Sequence, residues 1–232
     1  MLANFKEGGR LKQTSPQTVK FFLIGIAIGI TLILLGWILV PTASGMSIAA
    51  GLVIFIIYGL NAWFNASAIQ RINPVILRIS VVMGLLASVV YVTEIILEYI
   101  LLPDDNTIME LWDFGIVFML YFLSGLIGTY RTNKLWQGVI STVGSAMIAS
   151  LLWAIFTLTV FYVFRGTPQQ TTLFQNRWNY QNFAAGRDPN AFFMEEFMGL
   201  IFLNLIIGPL IATVLGLAGG VLGKWMYRAR TR

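Results

Sequence analysis

Cysteine and histidine are both absent from this chain of 232 residues. Without cysteine there is no disulfide, no thiolate metal site and no iron–sulfur cluster. Without histidine the chain lacks the commonest metal and haem ligand and the commonest general base. No phosphate-binding glycine loop or paired-aspartate metal motif is present either. We therefore expect no enzymatic activity, no catalytic residues, no metal and no bound cofactor.

Charged residues are scarce, at 11% of the chain, whereas 57% of the residues are hydrophobic. A soluble domain of this length needs a charged surface, so the outer surface of this chain must face lipid. The net charge of +5 fits orientation in a membrane and contact with anionic lipid at the cytoplasmic face. It does not predict binding to nucleic acid.

Six apolar runs are long enough to cross a bilayer, which takes about 20 helical residues. Because backbone polar groups find no water in hydrocarbon, such continuous runs must be helices. The predicted spans are Phe21–Val40, Met46–Phe64, Val75–Leu102, Leu111–Tyr130, Gly138–Phe164 and Phe192–Trp225. The sequence therefore predicts an all-α integral membrane protein, one membrane domain built as a bundle of six transmembrane helices.

The segments outside the spans are short except for one connection. Residues 1–20 form a basic arm and residues 226–232 a basic tail, while residues 165–191 are an aromatic-rich connection on the other side. Thr167 and Pro168 predict the start of a helix that reaches about Ala185. Such a helix would lie in the membrane interface, either as a plain loop folded over the helix ends or as a functional lid.

The charges divide sharply between the two sides of the membrane. Twelve of the fifteen basic residues fall on one side: Lys6, Arg10, Lys12, Lys20, Arg71, Arg78, Arg131, Lys134, Lys224, Arg228, Arg230 and Arg232. Nine of the ten acidic residues fall on the other: Glu94, Glu98, Asp104, Asp105, Glu110, Asp113, Asp188, Glu195 and Glu196. The positive-inside rule then places both termini in the cytoplasm and the chain in the plasma (inner) membrane.

Glu94 and Glu98 are the first candidate site, because a spacing of four puts both carboxylates on one face of the third span. Glu94 lies about 12 Å below the outer end of that span, where a carboxylate is costly unless it is paired or hydrated. It suits proton or cation coupling, with Asp113 as a third carboxylate and Arg165 as the nearest counter-charge by topology. The alternative is that the third span tilts and both glutamates reach the outer interface.

The second candidate site lies in the sixth span, where Asn204 is followed by Gly208 and Pro209. Proline removes a hydrogen-bond donor and displaces the carbonyl four residues back, at Leu205, so the helix should kink. A kink beside a buried amide lines cavities in transporters. The plainer interpretation is that Asn204 bonds a neighbouring helix and the kink only shapes the packing.

Small residues recur at spacings that let helix backbones approach closely. The candidate helix-packing residues are Gly25, Gly29, Ser141, Ser145, Gly216 and Gly220. We expect them to pack helices within this chain, and the alternative is a docking face for a partner in the membrane.

Two functions fit these features. The first is a non-catalytic membrane subunit or assembly factor, which would bind protein partners in the bilayer as part of a larger complex. The second is a small secondary transporter or channel that uses Glu94 for proton or cation coupling. The absent histidine and cysteine leave little support for an intramembrane enzyme. By exclusion, the sequence favours the subunit.

Overall fold

The computed structural model describes residues 15–64, 72–97, 107–176 and 186–231, which form helices joined by short turns. The helices are α1 (Ser15–Leu39), α2 (Gly45–Phe64), α3 (Pro74–Ile96), α4 (Thr107–Thr132), α5 (Leu135–Phe164), α6 (Pro168–Asn176) and α7 (Pro189–Thr231). All but α6 are long and apolar enough to cross a membrane. The prediction of an all-α chain with six membrane-crossing helices is confirmed.

Polar side chains fix the starts of three helices, as helix capping requires. Asn73 Oδ1 accepts a hydrogen bond from Val75 N at 2.9 Å before α3. Asp188 Oδ1 accepts one from Asn190 N at 3.1 Å before α7. Thr167 Oγ1 accepts one from Gln170 N at 3.3 Å before α6. The described part of α6 ends at Asn176, and the rest of the helix expected up to Ala185 lies outside the described residues.

The six long helices form three layers of two. The central layer is α5 with α7, the α1–α2 hairpin packs on one side of it, and the α3–α4 hairpin packs on the other. Both ends of the bundle carry charge. We call the end where α4 and α7 finish, near Arg131 and Arg228, the basic end, and the end where α7 begins, near Asp188 and Glu195, the acidic end.

In the basic half of the bundle, glycines bring the backbones of α4 and α7 into contact. A Cβ on Gly125 would lie 2.7 Å from the carbonyl oxygen of Gly216, closer than side-chain carbons approach. Buried hydroxyls join α4 to α5 at the same level, since Ser124 Oγ lies 2.8 Å from Ser141 Oγ and 3.1 Å from Ser145 Oγ. Small residues therefore set the distance between these helices.

In the acidic half, aromatic and methionine side chains fill the space between α1, α5 and α7. Phe161, Phe193, Met194 and Met198 are fully buried there. The short helix α6 adds to this cluster, because the ring of Phe174 packs edge-on against Phe192 with centroids 5.1 Å apart. The described part of the connection between α5 and α7 therefore extends the core beside α1.

Hydrogen bonds tie the α1–α2 turn to the start of α7 at the acidic end. Glu195 Oε1 accepts from Ser44 N at 2.7 Å, and its Oε2 pairs with Arg187 Nη2 at 3.1 Å. Asp188 Oδ2 accepts from Thr42 Oγ1 at 3.0 Å. Two of the acidic residues on this side thus hold helices together.

Candidate functional site

A cavity of about 330 Å³ lies between α3, α4, α5 and α7, and we call it the polar cavity. Its described lining consists of Tyr91, Glu94, Ile95, Phe114, Phe118, Tyr121, Trp153, Leu200, Leu203, Asn204, Ile207, Gly208 and Ile211. Both sites proposed from the sequence meet here, the carboxylate of the third span and the amide and glycine of the sixth. Among the described lining residues, Glu94 is the one charged side chain.

The residues that line the contact between α4 and α7 change in size along the bundle. These helices run parallel, and the glycine contact of Gly125 with Gly216 holds them together in the basic half. Toward the acidic end, the side chains that line the polar cavity from these two helices are large, among them Phe114 and Phe118 on α4 and Ile207 on α7. Larger side chains need a wider helix separation, and a gap opens where they do not fill it.

The register between α3 and α5 gives the depth of Glu94. The two helices run parallel, with Ser80 beside Gly144 and the rings of Tyr91 and Trp153 6.4 Å apart. Glu94 therefore lies level with a residue about two turns before Phe164, the end of α5, or roughly 11 Å below that end. Its side chain is half-buried. This places the carboxylate inside the bundle, on the acidic side of its middle.

Asn204 lies level with the middle of α5. Its Oδ1 is 3.5 Å from Ser150 Oγ, the limit of a hydrogen bond, and Ser150 is close to the midpoint of α5. A Cβ on Gly208 would approach the same two atoms, at 3.0 Å from Ser150 Oγ and 3.3 Å from Asn204 Oδ1. The absence of a side chain at position 208 therefore leaves room for the amide.

Pro209 leaves the carbonyl oxygen of Leu205 without a helical donor, and a helix of another layer supplies the hydrogen bond. Pro209 lies inside α7 and has no N–H to donate to the oxygen of Leu205. The hydroxyl of Tyr58, on α2, donates a hydrogen bond to that oxygen. A neighbouring helix thus satisfies the freed carbonyl, as a proline within a membrane helix requires.

Tyr121 brings a buried hydroxyl to the polar cavity. The side chain is 1% exposed, and its hydroxyl makes no hydrogen bond within the described part of the chain. Tyr91 is a polar neighbour of this hydroxyl, but the two groups do not meet hydrogen-bond geometry. A buried hydroxyl without a partner costs about 1–3 kcal/mol, so a bound ligand that bonds it would recover that free energy.

The mouth of the polar cavity faces sideways, toward lipid. The side chains of Phe114, Leu200, Leu203 and Ile207 line the cavity and are also exposed on the outside of the bundle, Leu203 by 51%. They belong to helices that are long and apolar enough to cross a membrane, and the hydrocarbon core of a bilayer would suit such exposed apolar side chains. A ligand therefore has a path into the cavity from the membrane.

No protein-family model, curated protein or solved structure matches this chain. The geometry of its own residues is therefore what bears on its function. Within the described ranges, no three acidic side chains gather as metal ligands would.

Neither Asp113 nor Arg165, which were grouped with Glu94 from the sequence, is among the described residues that line the polar cavity. Asp113 lies half-buried on α4, outside the polar cavity, and its Oδ2 makes no hydrogen bond to the described residues. Arg165, expected as a counter-charge for Glu94, instead donates to the carbonyl oxygen of Leu39 at 2.7 Å, at the α1–α2 turn. Glu98 lies outside the described residues.

The small-residue positions pack against neighbouring helices of the same chain. A Cβ on Gly25 would lie 3.0 Å from Leu151 Cδ2, and one on Gly216 would lie 2.9 Å from Thr142 Oγ1. Gly29 accommodates the ring of Phe55, and Gly220 the side chain of Leu135. Ser141 and Ser145 bond Ser124, as described above.

Sequence reasoning missed the aromatic residues of the site, among them Tyr121 and Trp153 in the cavity lining and Tyr58, which bonds the Leu205 carbonyl. Tyr58 and Tyr121 each lie well inside an apolar run, where a hydroxyl needs a partner. That signal was present in the sequence. The position of Trp153, in the middle of its span and away from the interfaces that tryptophan favours, was a second signal.

A second cavity, of about 310 Å³, lies in the basic half between the α1–α2 hairpin, α3 and α5. We call it the apolar cavity. Its described lining is Val19, Phe22, Asn61, Ala62, Ile72, Leu77, Ser80, Trp136, Val139, Ile140, Val143, Gly144, Met147 and Ile148. In this described lining no side chain carries a charge, and the hydroxyl of Ser80 bonds the oxygen of Ile76 in its own helix at 3.0 Å.

Proposed function

We propose that this chain is a small secondary transporter in which Glu94 binds a proton and a transported cation in turn. The observation that supports this most is the meeting of Glu94, Asn204 and Gly208 in one cavity. Glu94 lies more than 100 positions before Asn204 and Gly208 in the sequence. A carboxylate inside a membrane bundle is costly, and such residues mark ion pathways in membrane proteins.

The proline inside α7 supports the same proposal. The described part of α7 runs unbroken through Pro209, and Tyr58 supplies the hydrogen bond that proline removes. Transporters use interrupted helices near the middle of the membrane to form their binding sites. Here the hydrogen bond that proline removes lies beside the polar cavity, so a change of angle at Gly208–Pro209 would change the width of the cavity.

The alternative, a non-catalytic subunit of a larger membrane complex, has less support from the geometry. The small-residue faces, which were the alternative docking surface for a partner, pack against other helices of the chain. A subunit also has no need of a carboxylate in a lipid-facing cavity. As a transporter, the purified chain should exchange ions by itself, whereas as a subunit it should not.

The test is cation–proton exchange in liposomes that contain the purified chain and trapped pyranine, a dye that reports internal pH. With an acidic interior, Na⁺, K⁺ or a small ammonium ion is added outside. We expect at least one of them to drive protons out, raising the internal pH, and the Glu94→Gln variant to lose this exchange. Glu94→Asp keeps a carboxylate and should retain part of it.

Asp113→Asn is the matched control, because Asp113 on α4 is half-buried like Glu94 but is not among the described residues that line the polar cavity. It should exchange like the wild type. Equal loss in Asp113→Asn and Glu94→Gln would contradict the assignment to the cavity. No exchange with any of the three cations, together with a second protein that co-purifies at fixed stoichiometry, would overturn the transporter and favour the subunit.

A further inference from the structure

We infer that the ligand of the polar cavity is a small organic cation, an amine or quaternary ammonium with an apolar body, which enters from the lipid. This inference rests on the proposed function, since it names the cation that competes with the proton at Glu94. It concerns binding, which is measured separately from transport.

The first reason is that aromatic side chains surround the cavity that Glu94 lines. Five aromatic side chains share its cavity: Tyr91, Phe114, Phe118, Tyr121 and Trp153. Aromatic faces attract cations, and organic ammonium groups are recognised by aromatic cages.

The second reason is that the cavity has few oxygen ligands for an inorganic ion. Hard cations such as Ca²⁺ and Mg²⁺ bind six or more oxygen ligands. Besides Glu94, the described lining side chains that contain oxygen are Asn204, Tyr91 and Tyr121, and the other nine side chains are hydrocarbon, indole or glycine. A weakly hydrated organic cation needs fewer oxygen ligands, and its apolar body would fill the remaining space favourably.

The third reason is the size and direction of the cavity. Its volume of about 330 Å³ is at the low end of the roughly 300–1,000 Å³ range of small-molecule sites. Its mouth is formed by side chains that are exposed on the membrane-crossing surface, such as Leu203 and Phe114. A ligand with an apolar body partitions into lipid and so reaches this mouth, whereas a hydrated metal ion does not.

The test is equilibrium binding of benzyltrimethylammonium to the full chain in phosphatidylcholine nanodiscs, followed by tryptophan fluorescence. Neopentylbenzene, which has the same shape with carbon in place of the charged nitrogen, is the neutral control. We expect saturable binding of the ammonium, with a signal that disappears in Trp153→Phe, because Trp153 lines the cavity. The neutral compound should bind about tenfold more weakly or worse, since it gains neither the carboxylate nor the aromatic faces as a cation does.

Glu94→Gln should weaken ammonium binding about tenfold and leave neopentylbenzene unchanged, while Asp113→Asn should alter neither. Equal affinity for the two compounds in the wild type would overturn the inference, and this comparison needs no variant to fold. Unchanged ammonium binding in Glu94→Gln would overturn it as well.

The outcomes for binding and transport are distinguishable. Ammonium binding without cation–proton exchange would leave the ligand class standing and overturn the transporter. Exchange of Na⁺ or K⁺ without ammonium binding would overturn the ligand class and leave the transporter standing.

Discussion

The two cavities of this bundle are nearly equal in volume, about 310 and 330 Å³, yet they differ in chemistry. The apolar cavity lies beside α1 and α2, and its described lining carries no charge and is mostly hydrocarbon, with Asn61 and Ser80 as the polar exceptions. The polar cavity places a carboxylate, an amide and a buried hydroxyl together inside the bundle. Lipid can fill an apolar gap between helices at little cost, whereas polar groups at this depth are costly unless they are paired or used. Polarity therefore distinguishes the candidate site, and volume does not.

The largest expected effect tests the contact that closes the polar cavity on the basic side. Gly125→Ala would place a Cβ 2.7 Å from the carbonyl oxygen of Gly216, and backbone cannot yield as a side chain can. We expect a loss of about 3 kcal/mol of stability, measured by reversible unfolding in detergent. The matched control is Gly115→Ala on the same helix, where an added Cβ meets nothing within 4 Å. It should be neutral or gain about 0.5–1 kcal/mol. Equal losses would mean that α4 and α7 are not in contact.

The second-largest effect tests the hydrogen bond from Tyr58 to the Leu205 carbonyl beside the polar cavity. Tyr58→Phe removes the donor to the Leu205 carbonyl, which has no helical donor because residue 209 is proline. We expect a cost of about 2 kcal/mol. In a Pro209→Ala background the helix supplies its own N–H, so the same substitution should cost much less.

Tyr162→Phe is the control for this cycle. The Tyr162 hydroxyl donates to the carbonyl oxygen of Leu32, but residue 36 is glycine and keeps an N–H for that oxygen. Its loss should cost about 0.6 kcal/mol, the average for such bonds in membranes. Additive losses in the Tyr58 and Pro209 double variant would refute the capping role of Tyr58.

A smaller effect is expected at the acidic end, where α7 is held to the α1–α2 turn. Glu195 is 17% exposed, and Glu195→Gln would weaken its bonds to Ser44 N and Arg187. We expect a loss of about 1 kcal/mol in the same unfolding assay. Arg187→Gln removes the exposed partner alone and should cost less, because exposed ion pairs contribute little. A larger loss from Arg187→Gln would reverse this ranking.

The smallest effect is expected from the apolar cavity. Val143→Leu adds one methylene to a side chain that lines it, so stability should change by less than about 1 kcal/mol. Cation–proton exchange should not change at all. Loss of exchange in this variant would show that the two cavities act together and would break the distinction between them.

Much of the fold could be predicted from the sequence because hydrocarbon leaves a chain few choices. Long apolar runs must be helical in a membrane, and the caps at Asn73 and Asp188 follow from local hydrogen bonding. The loss of a helical donor to the Leu205 carbonyl at Pro209 also follows from local geometry. These features depend on residues a few positions apart, which the sequence displays directly.

The candidate site could be predicted only in pieces. Glu94 and Asn204 were each identified as costly polar groups in apolar helices, but nothing in the sequence placed them together. Arg165 was expected near Glu94 because both lie on the same side, yet it bonds the carbonyl of Leu39. Topology gives the side of the membrane on which a residue lies, and it does not give its neighbours around the bundle.

The sequence by itself determined that six helices are long and apolar enough to cross a membrane, where they begin, and which polar residues lie within them. It did so because the absence of water in hydrocarbon forces each apolar run to satisfy its own backbone. Only the tertiary structure decided that Glu94, Asn204 and Tyr121 line one cavity and that Tyr58 bonds the Leu205 carbonyl. Those relations depend on how closely glycines such as Gly125 and Gly216 let the helices approach. That distance is a property of two surfaces in contact and is not encoded in either helix alone.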